Sequence, residues 1–369
     1  MKILVTGGAG FIGSFLVDEL INKGHKVRIF DNLEDQVHGG TKPDYLNKKA
    51  EFIRGDIRNY DQLKKALSEI EVVYHMAASV GVAQSNYEIK KYIDTNIGGT
   101  ANLLDILVNS KTKVKKIICN SSMTGLGEGN YFCNKCKQIV RPRLRNEKDV
   151  KKQWNPLCPV CENKIKPVAT PEDVSEYPNS IYAISKKTQQ DMLLHFGKTY
   201  KPSVTILRCF NVYGPRQSLS NPYTGVTAIF TSRIKNNQPA VVYEDGMQTR
   251  DFISVHDVVK VLLKPLTNKN ADNQLFNIGS GKATPIKEIA LTIARHFDKE
   301  NLVEVRNQFR TGDIRHCFAD IRKAKKLLNW EPNVNLEKGF AEMIAWGEKQ
   351  KAKDDFKKSE KELKQKGLL

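Results

Sequence analysis

Lys2-Ile3-Leu4-Val5-Thr6-Gly7-Gly8-Ala9-Gly10-Phe11-Ile12-Gly13 opens the chain, and its reading decides the fold class. The run from Lys2 to Thr6 is short, apolar and β-branched, and it stops at a cluster of glycines. Phe15, Leu16, Leu20 and Ile21 then recur at helical spacing. Strand, tight turn and helix in that order make the first half of a βαβ unit. Glycine is needed at Gly7, Gly10 and Gly13 because a Cβ would hold a pyrophosphate away from the backbone amides and helix N-terminus that bind it, and Phe11 and Ile12 share that turn. A second apolar run, Lys26 to Phe30, ends at Asp31, eighteen residues beyond Gly13, where such a unit places an acid beside an adenosine ribose. Asp31 accepts from the two ribose hydroxyls and repels a 2′-phosphate. The next residue is Asn32 and no Lys or Arg follows directly, so NAD is expected rather than NADP.

Further strands are expected at Phe52-Ile53 leading to Gly55-Asp56-Ile57, at Val72 to His75 leading to Ala77-Ala78, and at Lys116 to Cys119 leading to Ser121-Ser122. Each ends in small or polar residues. The carboxyl ends of strands line the ligand crevice of an open parallel sheet, so Asp56, Ile57, Ala77, Ala78 and, on the following helix, Asn96 are candidate cofactor contacts. The class that follows is α/β, a doubly wound parallel sheet of Rossmann type.

Composition agrees and narrows the field. The chain has 369 residues with 40% apolar content, 24 Gly and 14 Pro, which excludes disorder and fibres. Lys plus Arg number 59 against 41 Asp plus Glu, a net +18 that favours polyanionic partners without choosing among sugar nucleotides, nucleic acid and anionic lipid. Asp18 and Glu19 arrive too early for a signal peptide, so the N-terminus reads as mature. Eighteen apolar residues nowhere run together, and no membrane partner and a cytoplasmic location are expected.

Tyr182 and Lys186 lie four apart in an apparent helix, on one face. A phenol with a pKa near 10 is short of base strength at neutral pH by about 4 kcal/mol. An ammonium about 5 Å away, at an effective dielectric of about 20, supplies on the order of 3 kcal/mol. Ser122, at a strand end, would hold the same substrate hydroxyl. With Thr6-Gly7-x-x-Gly10-x-x-Gly13, Ser121-Ser122, Tyr182-x-x-x-Lys186 and Arg208-x-Phe210-Asn211-x-Tyr213-Gly214-Pro215-Arg216 in this order, the chain resembles the extended short-chain dehydrogenase/reductases over nearly its whole length. The resemblance implies a doubly wound NAD domain, a smaller C-terminal lobe for a nucleotide-diphosphate sugar, catalysis by Ser122, Tyr182 and Lys186, and a homodimer.

After about residue 212 the βα alternation lapses, and arginines stand in apolar surroundings at Arg250-Asp251-Phe252-Ile253 and Arg310-x-Gly312-Asp313-Ile314-Arg315. An arginine fork suits a diphosphate because two donors meet two oxygens. Resemblance to nucleotide-sugar epimerases implies diphosphate contacts from Asn211, Arg250 and Arg310 and a ribose contact from Asp313; Arg216 and Thr124 join the candidate substrate residues. The family's 4,6-dehydratases follow the active-site hydroxyl residue with Asp-Glu, whereas Met123-Thr124 stand here, so C4 epimerisation is favoured over elimination. Gly81 to Ile89 and Leu219 to Gly225 look most like dTDP-L-rhamnose and UDP-glucose 4-epimerases. Cys317, where related enzymes carry a bulky residue, points either to a wide sugar pocket or to a buried structural cysteine. A dehydratase or related reductase, and an NAD-sensing binding protein, remain as alternatives.

Tyr182 follows Ser122 by sixty residues, more than a strand-to-helix connection needs. The insert holds Cys133-x-x-Cys136 and Cys158-x-x-Cys161, four thiolates suited to a closed structural Zn²⁺ site of zinc-ribbon type, with an iron–sulfur cluster the alternative that ligand count alone allows. Lys137 and Glu162 occupy the places after each pair where glycine is usual, leaving Asn163 to carry the turn. Its position predicts that the insert emerges beside the active-site mouth, to cap substrate or meet a second subunit. The expected organisation is an NAD domain (1–127 and 171–211), a four-cysteine metal module (128–170), a nucleotide-sugar lobe (212–347) and a charged, solvated tail (348–369). That tail lacks the net charge and interleaved aromatics of a nucleic-acid arm.

Overall fold

The computed structural model describes all residues except Thr311, 351–353, Asp355 and Leu369. Its centre is a seven-stranded sheet made of β1 (Lys2–Thr6), β2 (Lys26–Asp31), β3 (Glu51–Arg54), β4 (Val72–His75), β5 (Lys116–Ser122), β6 (Ser203–Cys209) and β7 (Gln274–Ile278). The spatial order is β7-β6-β5-β4-β1-β2-β3, and every neighbouring pair is parallel. This is the doubly wound arrangement, with β1 and β4 adjacent where the strand order reverses.

Both sheet faces are covered, which explains why the strands read as apolar runs instead of alternating patterns. Ile3, Val5 and Ile29 enter one core with Leu16, Val17 and Leu20 of the helix Phe11–Asn22; Leu4, Phe30 and Val73 enter the other with Leu103 and Ile106. β7 comes from the C-terminal region, and the helix Val255–Leu263 packs beside Phe11–Asn22 in the first core. The stretch after residue 212 therefore returns to the main sheet instead of forming a wholly separate lobe.

The remainder of that stretch builds small sheets beside the crevice. Asn211–Tyr213 pairs with Phe252–Ser254, Ala240–Val242 with Val303–Val305, and Thr249–Arg250 lies between Thr284–Pro285 and His316–Cys317. The insert is a three-stranded antiparallel sheet of Asn130–Cys133, Gln138–Val140 and Ile165–Val168. Cys133 and Cys158 are buried in its small core with Tyr131 and Val140. Phe356–Gln365, within the charged tail, is a helix docked on the body. Phe356 lies under the Arg233 guanidinium at 4.1 Å, and Glu360 pairs with Arg306 at 2.7 Å. The tail is thus not simply solvated. No described helix is long and apolar enough to cross a membrane.

Candidate active site

The carboxyl ends of the central strands open into a cavity of about 680 Å³ that runs from the glycine turn to the C-terminal arginines. Gly7, Gly10, Phe11, Ile12, Gly13, Asp31, Asn32, Asp56, Ile57, Ala77 and Ala78 line one end. Gly7 has φ +69°, and a Cβ there would stand 2.7 Å from the Ala77 nitrogen; at Gly13 it would stand 2.3 Å from the Gly7 oxygen. Only glycine permits so close a turn. The helix Phe11–Asn22 starts at Gly10 with no side-chain cap, leaving its first amides for an anionic ligand. Asp31 accepts from the Ala9 amide at 3.0 Å and the Leu33 amide at 2.9 Å, so it fastens the turn to β2 and still presents lone pairs to the cavity. Asp56 is engaged by Arg58 at 2.6 Å and by the Asn32 amide nitrogen at 3.1 Å.

Asn96 stands apart from the cofactor contacts expected of it. It is fully buried in a π-helical turn, Ile93–Gly98, and is absent from the cavity wall. Its side chain accepts from Ser79 N at 2.8 Å and donates to Ser79 O and to the Ser185 hydroxyl, clamping the loop after β4 to the helix that carries Tyr182.

That helix, Ile181–Thr199, begins where three side chains satisfy its unpaired amides: Ser180 accepts from Ala183, Ser85 from Tyr182 and Asn86 from Ile181. The start of the helix, and with it Tyr182, is therefore pinned from the segment around Val82–Ser85. Tyr182, Lys186, Ser122 and Thr124 all line the cavity, and the Ser122 hydroxyl accepts from the Thr124 hydroxyl at 3.0 Å.

The electrostatics depart from the expectation of an ammonium that pre-acidifies the phenol. Burial pushes Tyr182 above the ordinary phenol range, the Ser122 hydroxyl pulls it back, and the Cys209 thiol adds to the rise; Lys186 is not among the causes. Burial also pulls Lys186 below its ordinary value. The reason is that the ammonium is directed elsewhere. It donates to the Asn120 carbonyl at 2.8 Å and to the Gln189 side-chain oxygen.

Gln189 belongs to a rack whose donors and acceptors are fully determined. Its amide nitrogen donates to Thr100 Oγ1 at 2.9 Å, and Thr100 spends its own proton on the Asn96 carbonyl at 2.7 Å. His75 Nε2, 3.0 Å from the same Thr100 oxygen, must then be the protonated nitrogen, while Nδ1 accepts from Thr6 Oγ1, itself an acceptor from Met76 N and Ala77 N. Burial, helped by the Lys186 charge, holds His75 down at about 3, so it stays neutral. No sequence motif signalled this rack; His75, Thr100 and Gln189 meet only in the fold.

At the far end, Asn211, Arg250, Arg310 and Asp313 share the cavity wall. Arg250 reaches one Asp313 oxygen at 2.7 Å and Arg310 the other at 2.8 Å. Burial alone would raise Asp313, but Arg310 and then Arg250 hold it at about 2. Asn211 Oδ1, Gln217 Oε1 and Gln248 Oε1 are buried without a hydrogen-bond partner among the described residues, and all three residues line the cavity. Such orphaned acceptors are what a bound polar ligand would satisfy.

Arg216, expected at the substrate, is drawn off by Asp18 at 2.8 Å and lies over the Phe15 and Tyr45 rings, away from the cavity wall. Cys317 is a core residue packed with Met123, Leu126 and Phe210, so it says nothing of pocket width. Phe356, Ser359, Glu360 and Leu363 of the tail helix line the cavity, which sequence reading missed because the stretch is so charged.

In the insert, the four cysteine sulfurs lie within 4.8 Å of one another, Cys133 to Cys161 at 3.5 Å and Cys136 to Cys158 at 3.8 Å. Lys137 (φ +54°) and Glu162 (φ +56°) take the left-handed turn themselves, not Asn163, whose side chain instead donates to the Cys161 carbonyl. Among the described residues none from 125 to 178 lines the cavity, so the insert does not cap it.

A dinucleotide turn facing a Ser-Tyr-Lys constellation at the switch point of a doubly wound sheet defines the class, and the chain belongs to the NAD-dependent epimerase/dehydratase family. The model of that family matches residues 3–142, and a GDP-mannose 4,6-dehydratase model matches residues 164–343. The dTDP-L-rhamnose 4-epimerase of Burkholderia thailandensis is 34% identical over 353 residues, covering 94% of each chain. UDP-glucose 4-epimerase of Thermotoga maritima, solved with UDP-glucose, is 32% identical with a TM-score of 0.74, covering 94% of this chain and 98% of that one. UDP-glucuronic acid 4-epimerase of Bacillus cereus, solved with UDP-glucuronic acid and NAD, is 29% identical with a TM-score of 0.77, covering 94% and 99%.

Proposed function

We propose that the protein is an NAD-dependent nucleotide-sugar 4-epimerase acting on a dTDP- or UDP-linked hexose, with dTDP-L-rhamnose and UDP-glucose or UDP-galactose as the leading substrates. The observation that carries this reading is a single cavity holding the glycine turn, Ser122 with Tyr182 and Lys186, and the Arg250–Asp313–Arg310 cluster. The glycine turn, the uncapped helix start and Asp31 fit NAD, with Asp56 and Ile57 towards the adenine. The dinucleotide, when bound, supplies a hydride acceptor and donor and, once oxidised, a positive charge beside the phenol.

Tyr182 takes the proton of the sugar's C4 hydroxyl as hydride leaves C4, and returns it after the ketosugar has turned over. Ser122 holds the same oxygen in line for that transfer. Lys186 has committed two of its three donors to Asn120 and Gln189, and the third would be free to hold the bound dinucleotide. Rotation needs a fixed pivot, and the diphosphate provides it, gripped by Asn211, Arg250 and Arg310. The residues after Ser122 are Met123 and Thr124, which offer no carboxyl pair for elimination at C5 and C6.

The four cysteines fit Zn²⁺. Zn–S bonds of about 2.3 Å at tetrahedral angles place sulfurs about 3.8 Å apart. The ion would complete a module whose small core of Tyr131, Cys133, Val140 and Cys158 is thin on its own. A homodimer belongs to the same reading, supported by Val108 and Ile184, 44% and 41% exposed on the two helices that would meet, and so does a cytoplasmic location. Incubating purified protein with dTDP-L-rhamnose, UDP-glucose and UDP-N-acetylglucosamine and following C4 configuration by NMR tests the assignment. Conversion of at least one to its C4 epimer is expected, and no epimer from any of them would refute it.

A further inference from the structure

We infer that the cysteine-bearing insert is a brace for the substrate cavity and that Arg145 is the positioning residue through which it acts. The inference rests on the reading of Arg250, Arg310 and Asp313 as the diphosphate grip. No described residue of the insert lines the cavity, so any influence on substrate must pass through an intermediate. Arg145 supplies it. Its side chain is 2% exposed and meets Glu244, 0% exposed, through two parallel hydrogen bonds of 3.0 and 2.8 Å. The same guanidinium reaches the Asp313 carbonyl at 3.3 Å.

Glu244 also takes Arg315 at 2.6 Å, and Arg315 forks onto both oxygens of Asp245 at 2.7 and 2.8 Å. From the insert, Asn155 accepts from Arg315 Nε at 2.7 Å, and Glu128 at the insert's root accepts from the amides of Arg315 and His316 at 2.8 Å each. Tyr131, in the same strand as Cys133, donates to Glu128 at 2.6 Å. The insert thus grips the backbone at Asp313, Arg315 and His316, the segment whose Asp313 carboxylate orients both Arg250 and Arg310. Arg145 and Arg315 balance Glu244 and Asp245 in charge. Buried pairs add little net stability over apolar packing, and what they do well is fix a geometry.

The test is made on the full-length holoenzyme. Arg145→Met should raise KM for the nucleotide sugar and weaken calorimetric binding of UDP and dTDP by about tenfold, the worth of one charge-assisted hydrogen bond. NAD retention and kcat should stay within about twofold of the parent, because they report on the other end of the cavity. Arg145→Lys should recover part of the loss. Cys158→Ser, with zinc content measured directly, should lose metal and reproduce the same KM-selective defect. Should Arg145→Met not fold, the paired variant Arg145→Gln with Glu244→Gln removes both charges together and is read in the same way. Unchanged UDP and dTDP affinity in these variants, or an equal fall in NAD retention and kcat, overturns the brace. Arg250→Ala separates the two levels: if it leaves affinity intact, the diphosphate reading fails, whereas if it weakens binding and the Arg145 variants do not, the brace alone fails.

Discussion

Asp313→Asn removes the charge that orients the two cavity arginines while keeping the side chain's size, and its cost can be worked from the geometry. The carboxyl is held at about 2 by Arg310 and Arg250 against the opposing effect of burial. Set beside an unfolded value of about 3.9, that depression is worth on the order of 2–3 kcal/mol. The Arg310 side chain is 44% exposed and partly screened by solvent, so about 2 kcal/mol is the working figure. Because the folded value is depressed, the stabilisation is complete above about pH 4 and disappears as pH falls through about 2. Urea unfolding of parent and variant at a series of pH values isolates this contribution, since every other carboxylate is common to both. The variant should be less stable by about 2 kcal/mol at pH 7, with the gap closing below about pH 4. A gap that is absent, or that stays constant down to pH 2, would mean that packing and not charge holds Asp313, and would refute the reasoning.

Three further outcomes follow from the site. Gly13→Ala should abolish NAD retention, measured by dinucleotide released on denaturation, because the new Cβ would stand 2.3 Å from the Gly7 oxygen. Gln189→Leu takes an acceptor from an ammonium that burial already disfavours, so Lys186 loses its proton at lower pH. The alkaline limb of the kcat–pH profile should move to lower pH, and an unmoved limb would contradict the rack. Tyr182→Phe should lower kcat by about 10²- to 10⁴-fold while calorimetric UDP binding is retained, and a small kcat effect would remove Tyr182 from the proton transfer.

The parts of the fold carried by local pattern were legible in the chain. The glycine turn, the strand ending at Asp31 and the four-residue step from Tyr182 to Lys186 each declare themselves within a few positions, and the structure brings them to one cavity. What long-range contacts decide was not legible. Asn96 looks like a cofactor ligand by position but is consumed by Ser79 and Ser185, and Arg216 is consumed by Asp18. The charged tail reads as solvated until Arg233 and Arg306 are seen to receive Phe356 and Glu360. Likewise, the insert's link to the cavity depends on Arg145 meeting Glu244, ninety-nine residues away, which no spacing rule anticipates. The setting of Lys186 is a further case: helix geometry puts it on the face of Tyr182, but only the fold shows that Asn120 and Gln189 claim its ammonium.

The most direct measurement follows one hydrogen atom. A nucleotide sugar deuterated at C4 and found to be a substrate is incubated in ordinary water, the unlabelled sugar is incubated in D₂O, and both epimerised products are read by NMR. Removal and return of hydride at C4 within one cavity predicts that the deuterium stays at C4 of the epimer and that no solvent deuterium enters any carbon. Loss of the C4 label, or solvent deuterium at C5, would contradict the account.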